Sequence, residues 1–155
     1  MAFMRESDAI SGKHAKAFVT VNGQVEELFY ARSLEATIGK NKTDVPVLGK
    51  TNVGQKATGW AGTGTMNIYY VTSLFRQLML DYVKTGRDFY FDLQVTNEDP
   101  TSSAGRQTVV LKNCNLDDVI AAQFDITADD ALNEDISFTF DDYDILEQFT
   151  TPTGA

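Results

Sequence analysis

Residues 49–64 read GKTNVGQKATGWAGTG, from Gly49 to Gly64. The stretch opens on Gly49-Lys50-Thr51, the last three residues of a phosphate-binding loop, and continues with glycine at 54, 59, 62 and 64. A phosphate loop needs G-x-x-x-x-G-K-[ST] between a strand and a helix. Here Asp44 stands at the first glycine, where its carboxylate would repel a phosphate, and Pro46 removes one of the N–H groups of the cradle. Val53-Gly54 after the threonine does not open a helix. The stretch is glycine-rich for another reason, and the fold has to be read from what flanks it.

The flanks alternate. Arg32–Ile38 places Leu34, Ala36 and Ile38 opposite Ser33, Glu35 and Thr37. Thr65–Val71 places Met66, Ile68 and Tyr70 opposite Thr65, Asn67 and Tyr69. Period two is the signature of a half-buried strand. Between them, residues 39–64 hold six of the chain's eleven glycines. They read as an irregular, long glycine-rich excursion from a hairpin.

Further strands are expected at Ala15–Val21, Gln24–Tyr30, Phe89–Thr96, Gln107–Asn113 and Val119–Thr127. Asn22-Gly23 is a type I′ hairpin signal. Asn133–Asp141 alternates most regularly, with Ile136, Phe138 and Phe140 on one side and Asp135, Ser137, Thr139 and Asp141 on the other. Only Leu74, Phe75, Leu78, Met79, Tyr82 and Val83 recur at helical spacing. They predict one helix over 73–85, capped by Thr72 or Ser73 and ended by Gly86. The fold class is mainly β, a sandwich or barrel-like form with one flanking helix, in a single domain over 1–155. The segment 149–155 reads as a loose tail.

At 155 residues the chain is long enough for a substantial core, since domains of this size bury roughly 68–70% of their unfolded surface. Arg5, Glu6 and Asp8 interrupt the N-terminus, so no signal peptide is expected, and no apolar run has membrane-spanning length. A soluble protein made in the cytoplasm, with no membrane anchor, is the expectation. The net charge of −9 argues against wrapping nucleic acid. The charge is also polarised. From Asn113 to Ala155 there are eleven acids and no Lys or Arg, while Gly39–Gly64 holds Lys40, Lys42, Lys50 and Lys56 against Asp44 alone. Such polarity suits a molecule that meets copies of itself.

Catalytic and metal-binding readings find little. DITADDALNED (Asp125–Asp135) lacks the alternating ligands and the glycine of an EF-hand. His14 is the sole histidine, without a G-x-S-x-G partner, and Cys114 is the sole cysteine. No catalytic residue, metal site or cofactor is expected. Trp60, the only tryptophan, lies in the glycine-rich stretch and either packs on its own domain or anchors an interface.

Several segments resemble one family: AISGKHAKAFV, SLEATIGKNKTDVPVLGK, GQKATGWAGTGTMNIYYVTSLFRQLMLDYVKTGRDFYFDLQV, VVLKNCNLDDVIAAQFD and ISFTFDDYDILEQF. Together they resemble the tail tube proteins of contractile-tailed phages and of defective-prophage particles in Gram-positive bacteria. The most specific piece is GxxxTGxxGTGT followed by the helix. The resemblance implies a β-barrel-like sandwich whose copies form six-membered rings. Rings would stack into a hollow tube inside a sheath, with a tape-measure protein and a baseplate as further partners and DNA passing through without specific binding. It implies that the excursion reaches neighbouring subunits, with Lys40, Lys42, Lys50, Lys56 and Trp60 as expected contacts. Glu35, Thr37, Thr65, Asn67, Asp125, Thr127, Asp135, Ser137 and Thr139 are the expected lumen face. The competing readings are the inner tube of a related contractile secretion system and a stand-alone β-sandwich binding module; the latter predicts a monomer with an aromatic-lined cleft.

Overall fold

A computed structural model describes residues 4–127 and 129–151. After a 3-10 turn at Glu6–Asp8 come β1 (Ala15–Val21), β2 (Gln24–Glu27), β3 (Ala31–Pro46) and β4 (Val53–Tyr69). Helix α1 (Leu74–Thr85) follows, then β5 (Phe91–Glu98), β6 (Arg106–Asp118), β7 (Asn133–Phe140) and β8 (Asp142–Glu147). Every strand pair is antiparallel. One sheet runs β2-β1-β5-β6-β8 and the other β3-β4-β7-β6.

Strand β6 belongs to both sheets and makes the corner. Its residues 106–114 pair β5, and Asn115, Leu116 and Asp118 pair β7. Between Phe91↔Cys114 and Leu93↔Leu111, both Lys112 and Asn113 stand opposite Asp92, a bulge. Asn113 takes φ 54°, and its N–H donates to Asp92 Oδ1 at 3.1 Å. A bulge with one residue in the left-handed region bends a strand sharply, which lets it leave one sheet for the other.

The inner faces enclose one core. Val19, Leu93, Phe91 and Leu111 come from the first sheet, and Met66, Ile68, Ile136, Phe138 and Phe140 from the second. Phe75 and Leu78 of α1 close it, with Phe75 edge-on to Phe91 at 6.0 Å. The helix begins where Thr72 Oγ1 accepts from the Leu74 N–H at 3.3 Å. It ends at Gly86, φ 74°, whose N–H donates to the Tyr82 carbonyl. Asn22 (φ 52°) and Gly23 (φ 80°) form the expected β1–β2 turn.

Two expectations need correction, and one strand was not anticipated. Residues 39–64 are not irregular: they form the outer two-thirds of a long β3–β4 hairpin, paired from Ala31↔Ile68 to Pro46↔Val53. Strand pairing is a main-chain property, and glycines hide it by removing the side chains whose alternation would mark it. Val119–Thr127 carries a strand-like sequence but lies in no strand. Asp142–Glu147, unassigned from sequence, is an edge strand on β6. Phe89–Thr96 and Gln107–Asn113 are strands with shifted ends, Phe91–Glu98 and Arg106–Asp118. Of the segment expected to be loose, residues 152–155 lie outside the described residues. Within the described part, the Thr150 N–H donates to the Ala104 carbonyl at 2.7 Å.

Candidate functional site

The β3-β4-β7-β6 sheet has one face on the core and one in solvent, and the solvent face is polar in cross-strand rows. Ser33, Asn67 and Asp135 are in register, then Glu35, Thr65, Ser137 and Asp118, then Thr37, Thr63 and Thr139. Directly opposed residues share a face. The pairing thus brings Glu35, Thr37, Thr65, Asn67, Asp135, Ser137 and Thr139 together on one surface. It adds Ser33, Thr63 and Asp118, which the alternation of single strands left unpaired.

Asp125 and Thr127 are not part of these rows. Residues 119–127 and 129–132 run outside the sheet, and the Thr127 N–H and Oγ1–H both donate to Asp125 Oδ1, closing a local turn. Their side chains compete with a ladder for main-chain donors, a feature alternation does not register.

One end of the face is organised by Arg32, a residue that alternation and spacing do not single out. Ala31 pairs Ile68 and Ser33 pairs Asn67, so Arg32 is an extra, bulged residue. Its Nη1 donates to Asn67 Oδ1 at 3.3 Å, and its guanidinium sits 5.2 Å from the Tyr69 ring centre. Asn67 Nδ2 in turn donates to Asp135 Oδ1 at 2.7 Å and Asn133 Oδ1 at 3.1 Å.

The opposite face explains two glycines of the opening stretch. Gly62 pairs Phe140 and Gly64 pairs Phe138. A Cβ at either position would fall within 3.0 Å of at least two carbons of the partner ring. The Phe138 and Phe140 rings occupy the space a β4 side chain would take at these two positions, and only glycine leaves room for them.

Among the described residues, the part of β4 before Gly62 pairs only with β3, so residues 39–61 project as a two-stranded arm. At about 3.3 Å per residue it extends roughly 25 Å. Asn41 faces Gly59 and Lys42 faces Ala57, so Thr58 is a bulge that reverses the alternation of β4. The lysines are therefore not brought to one surface. Lys40 and Lys42 share a face, Lys56 opposes Thr43 on the other, and Lys50 lies in the tip turn. Trp60 pairs Lys40 at the arm's base; its ring is 6.2 Å from that of Phe140, and 43% of the residue stays exposed. The tip is apolar, with Val45, Val47, Leu48 and Val53 all exposed. Gly49 (φ 85°) and Lys50 sit in that tip turn, between two strands.

The buried carboxylates and the thiol are held within the fold. Glu134 is buried and paired with Arg76 at 2.7 Å; Arg76 also lies 4.3 Å from the Tyr70 ring centre and donates to the Thr72 carbonyl. Burial pushes the Glu134 carboxyl upward, and Arg76 partly opposes it. Asp99, also buried, accepts from the Thr101 hydroxyl and N–H and from the Ser11 N–H, which hold its carboxyl down at about 2. Cys114 is fully buried, its thiol pushed up to about 12 by burial, which makes it core material. His14 is exposed, and its carbonyl accepts from the Glu98 N–H. Among the described residues, no group of three or more His, Cys, Asp or Glu is placed to hold a metal. No helix among them is long and apolar enough to cross a membrane.

The result is a sheet polar on one face, with no further strand on either edge among the described residues, and extended by an arm. The family described as phage tail tube protein matches residues 2–147. The chain belongs to that family. It is 39% identical over 147 residues to the phage-like element PBSX protein XkdM of Bacillus subtilis (strain 168), covering 95% of this chain and 97% of that protein. The fold of this tail tube protein is also that of chains in contractile particles. It matches a chain in the tube-terminating cap of the anti-feeding prophage, with TM-score 0.68, 13% identity and coverage of 94% and 93%. It matches one in the PVC sheath-tube complex of an extracellular contractile injection system, with TM-score 0.65, 14% identity and coverage of 88% and 90%.

Proposed function

We propose that copies of this chain close into six-membered rings, and that the rings stack into the hollow inner tube of a contractile tail or phage-tail-like particle. The tube is a conduit for DNA or a rigid needle driven through a target envelope. The observation that carries this reading is the four-stranded β3-β4-β7-β6 sheet. Its core face is sealed within the subunit, its other face is polar, and both edges are open. An open edge in a soluble monomer invites association, and closure into a barrel removes it.

Glu35, Thr37, Thr65, Asn67, Asp135, Ser137 and Thr139 form the lumen wall in this proposal. The carboxylates of Glu35 and Asp135 there repel the phosphate backbone, so DNA slides without sticking. The arm with Lys40, Lys42, Lys50, Lys56 and Trp60 reaches a neighbouring copy. The whole chain acts as one tube domain, with a structural and not a catalytic role. Its partners besides itself are sheath, tape-measure and baseplate proteins, and it is assembled in the bacterial cytoplasm. The family match and the contractile-particle folds support this.

Negative-stain microscopy of purified protein over a range of concentrations tests the reading. Rings or rods with a central channel are expected. A strict monomer at every concentration, with and without a tail nucleus, would sink it.

A further inference from the structure

The arm ends in a fixed apolar knob. Its tip closes in a tight turn, where the Lys50 N–H donates to the Val47 carbonyl at 3.1 Å and Gly49 takes φ 85°. A type II turn demands that positive φ at its third residue. Leu48 stands at the corner of the turn and is fully exposed, with Lys50 two positions on. A defined turn at the end of a ladder therefore holds a large apolar side chain out in water, with a cation beside it.

The sandwich carries a matching hollow at the C-terminal end of α1. A cavity of about 190 Å³ opens between the helix, the segment before β5 and the far end of β6. Met79, Tyr82, Phe89 and Leu116 give its apolar wall, and Asp88 and Asp117, both exposed, its charged rim. The fold sets its shape. Asn115 Nδ2 donates to Asp88 Oδ1 at 2.8 Å and to the Phe89 carbonyl at 3.3 Å, which fastens the segment before β5 to β6. Tyr82 and its chain neighbour Val83 are exposed, as is Tyr90 next to Phe89, so the hollow opens within large apolar surface groups. A cavity of roughly 150 Å³ admits a benzene-sized guest, so this one has room for a leucine side chain.

We infer that this hollow receives Leu48 of another copy, with Lys50 of that copy set against Asp88 and Asp117. The inference rests on the reading that copies assemble through the arm, and it names the receiving site. Knob and hollow are both apolar and match in size. The cation lies beside the knob and the carboxylates beside the hollow, so charge fixes which way round the tip enters. The tip does not fill the hollow of its own subunit, because the arm's strands pair only with each other among the described residues and hold Leu48 clear of the sandwich. Each copy then offers one knob and one hollow on different surfaces, a head-to-tail contact that repeats from copy to copy.

Cysteine pairs read the contact directly. Leu48→Cys protein mixed with Tyr82→Cys protein, assembled and oxidised, should give a cross-linked heterodimer. Leu48→Cys mixed with Leu146→Cys, exposed on β8 outside the hollow, should give none, and native Cys114 is buried and stays out of the reaction. Leu48→Asp should keep the wild-type circular dichroism and Tm, and should raise the concentration needed for polymer at least about tenfold, as loss of an interface anchor does. Asp117→Lys should weaken assembly too, and adding Lys50→Asp to the same chain should recover most of the loss, since opposite charges face each other again. An unspecific need for cations on the arm would give no such recovery. Rods at the wild-type concentration from Leu48→Asp protein, or polymer of the 48 and 82 cysteine proteins without a cross-link, would overturn the docking and leave the tube reading standing. Wild-type protein that never assembles would overturn both.

Discussion

Gly64 shows how much one missing side chain controls. A Cβ there would collide with the Phe138 ring, as one at Gly62 would with Phe140. Gly64→Ala should lower stability by about 1–3 kcal/mol, the usual cost of forcing a methyl into a packed core. Chemical denaturation checks it, and Gly59→Ala, with nothing within 4 Å of its Cβ, is the control. Arg76 tests a second residue-scale claim. Arg76→Met leaves the Glu134 carboxylate buried and unpaired, which should cost about 3–5 kcal/mol at neutral pH. The burial-raised pKa of Glu134 means its ionised form opposes folding, so the deficit should shrink as pH falls below neutral and the carboxyl takes a proton. A deficit independent of pH would show that the lost arginine acted by packing alone. Asp99 has the opposite sign. Its carboxyl is held at about 2, below the ordinary 3.8, so its contribution is complete above 3.8 and is lost as pH drops toward 2. Asp99→Asn should be less stable at pH 7 and should flatten the fall in Tm between pH 4 and 2.

At the scale of elements, the arm is separable from the sandwich. From Gly39↔Ala61 outward, β3 and β4 pair only with each other. A two-stranded ribbon is marginal alone, and an apolar tip of Val45, Val47, Leu48 and Val53 adds nothing to the subunit's own core. Deleting residues 42–58 joins Asn41 to Gly59. That junction is an Asn-Gly turn beside the native Lys40↔Trp60 pair, the favoured chemistry for a two-residue hairpin. The shortened protein should keep its Tm within a few degrees, because no core residue is removed. It should no longer form rods in the microscope. Rods of normal length from it would mean that the arm is dispensable for assembly.

For the whole molecule the relevant quantity is charge distribution. The arm holds four lysines, while residues 113–155 hold eleven acids and no Lys or Arg. Exchanging Lys40, Lys42, Lys50 and Lys56 for Glu should leave the monomer folded, since all four are exposed, and should stop tube growth. Wild-type assembly should weaken with added salt over the range where the Debye length falls from about 10 Å to about 3 Å. Sedimentation at several ionic strengths reads both effects. Salt-insensitive growth would shift the weight of assembly to the apolar tip and to main-chain pairing.

The alternation of Ile136, Phe138 and Phe140 against Asp135, Ser137 and Thr139 determined a half-buried strand and the face it buries, because side-chain direction has period two whatever the partner. The helix at Leu74–Thr85 and the Asn22-Gly23 turn were equally legible, since spacing, capping and positive φ are local properties. So was the family, from motifs that span the chain. The rest depended on partners distant in sequence. Glycines mask the alternation of the β3–β4 hairpin, and two of them, Gly62 and Gly64, are glycines because of aromatic rings more than seventy positions later. The bulges at Arg32 and Thr58 send Arg32 to Asn67 and divide the lysines between two faces, which no single-strand pattern encodes. In Val119–Thr127, composition wrote a strand that the subunit alone does not form. A strand is completed by its neighbour, and tertiary structure decides which neighbours are present.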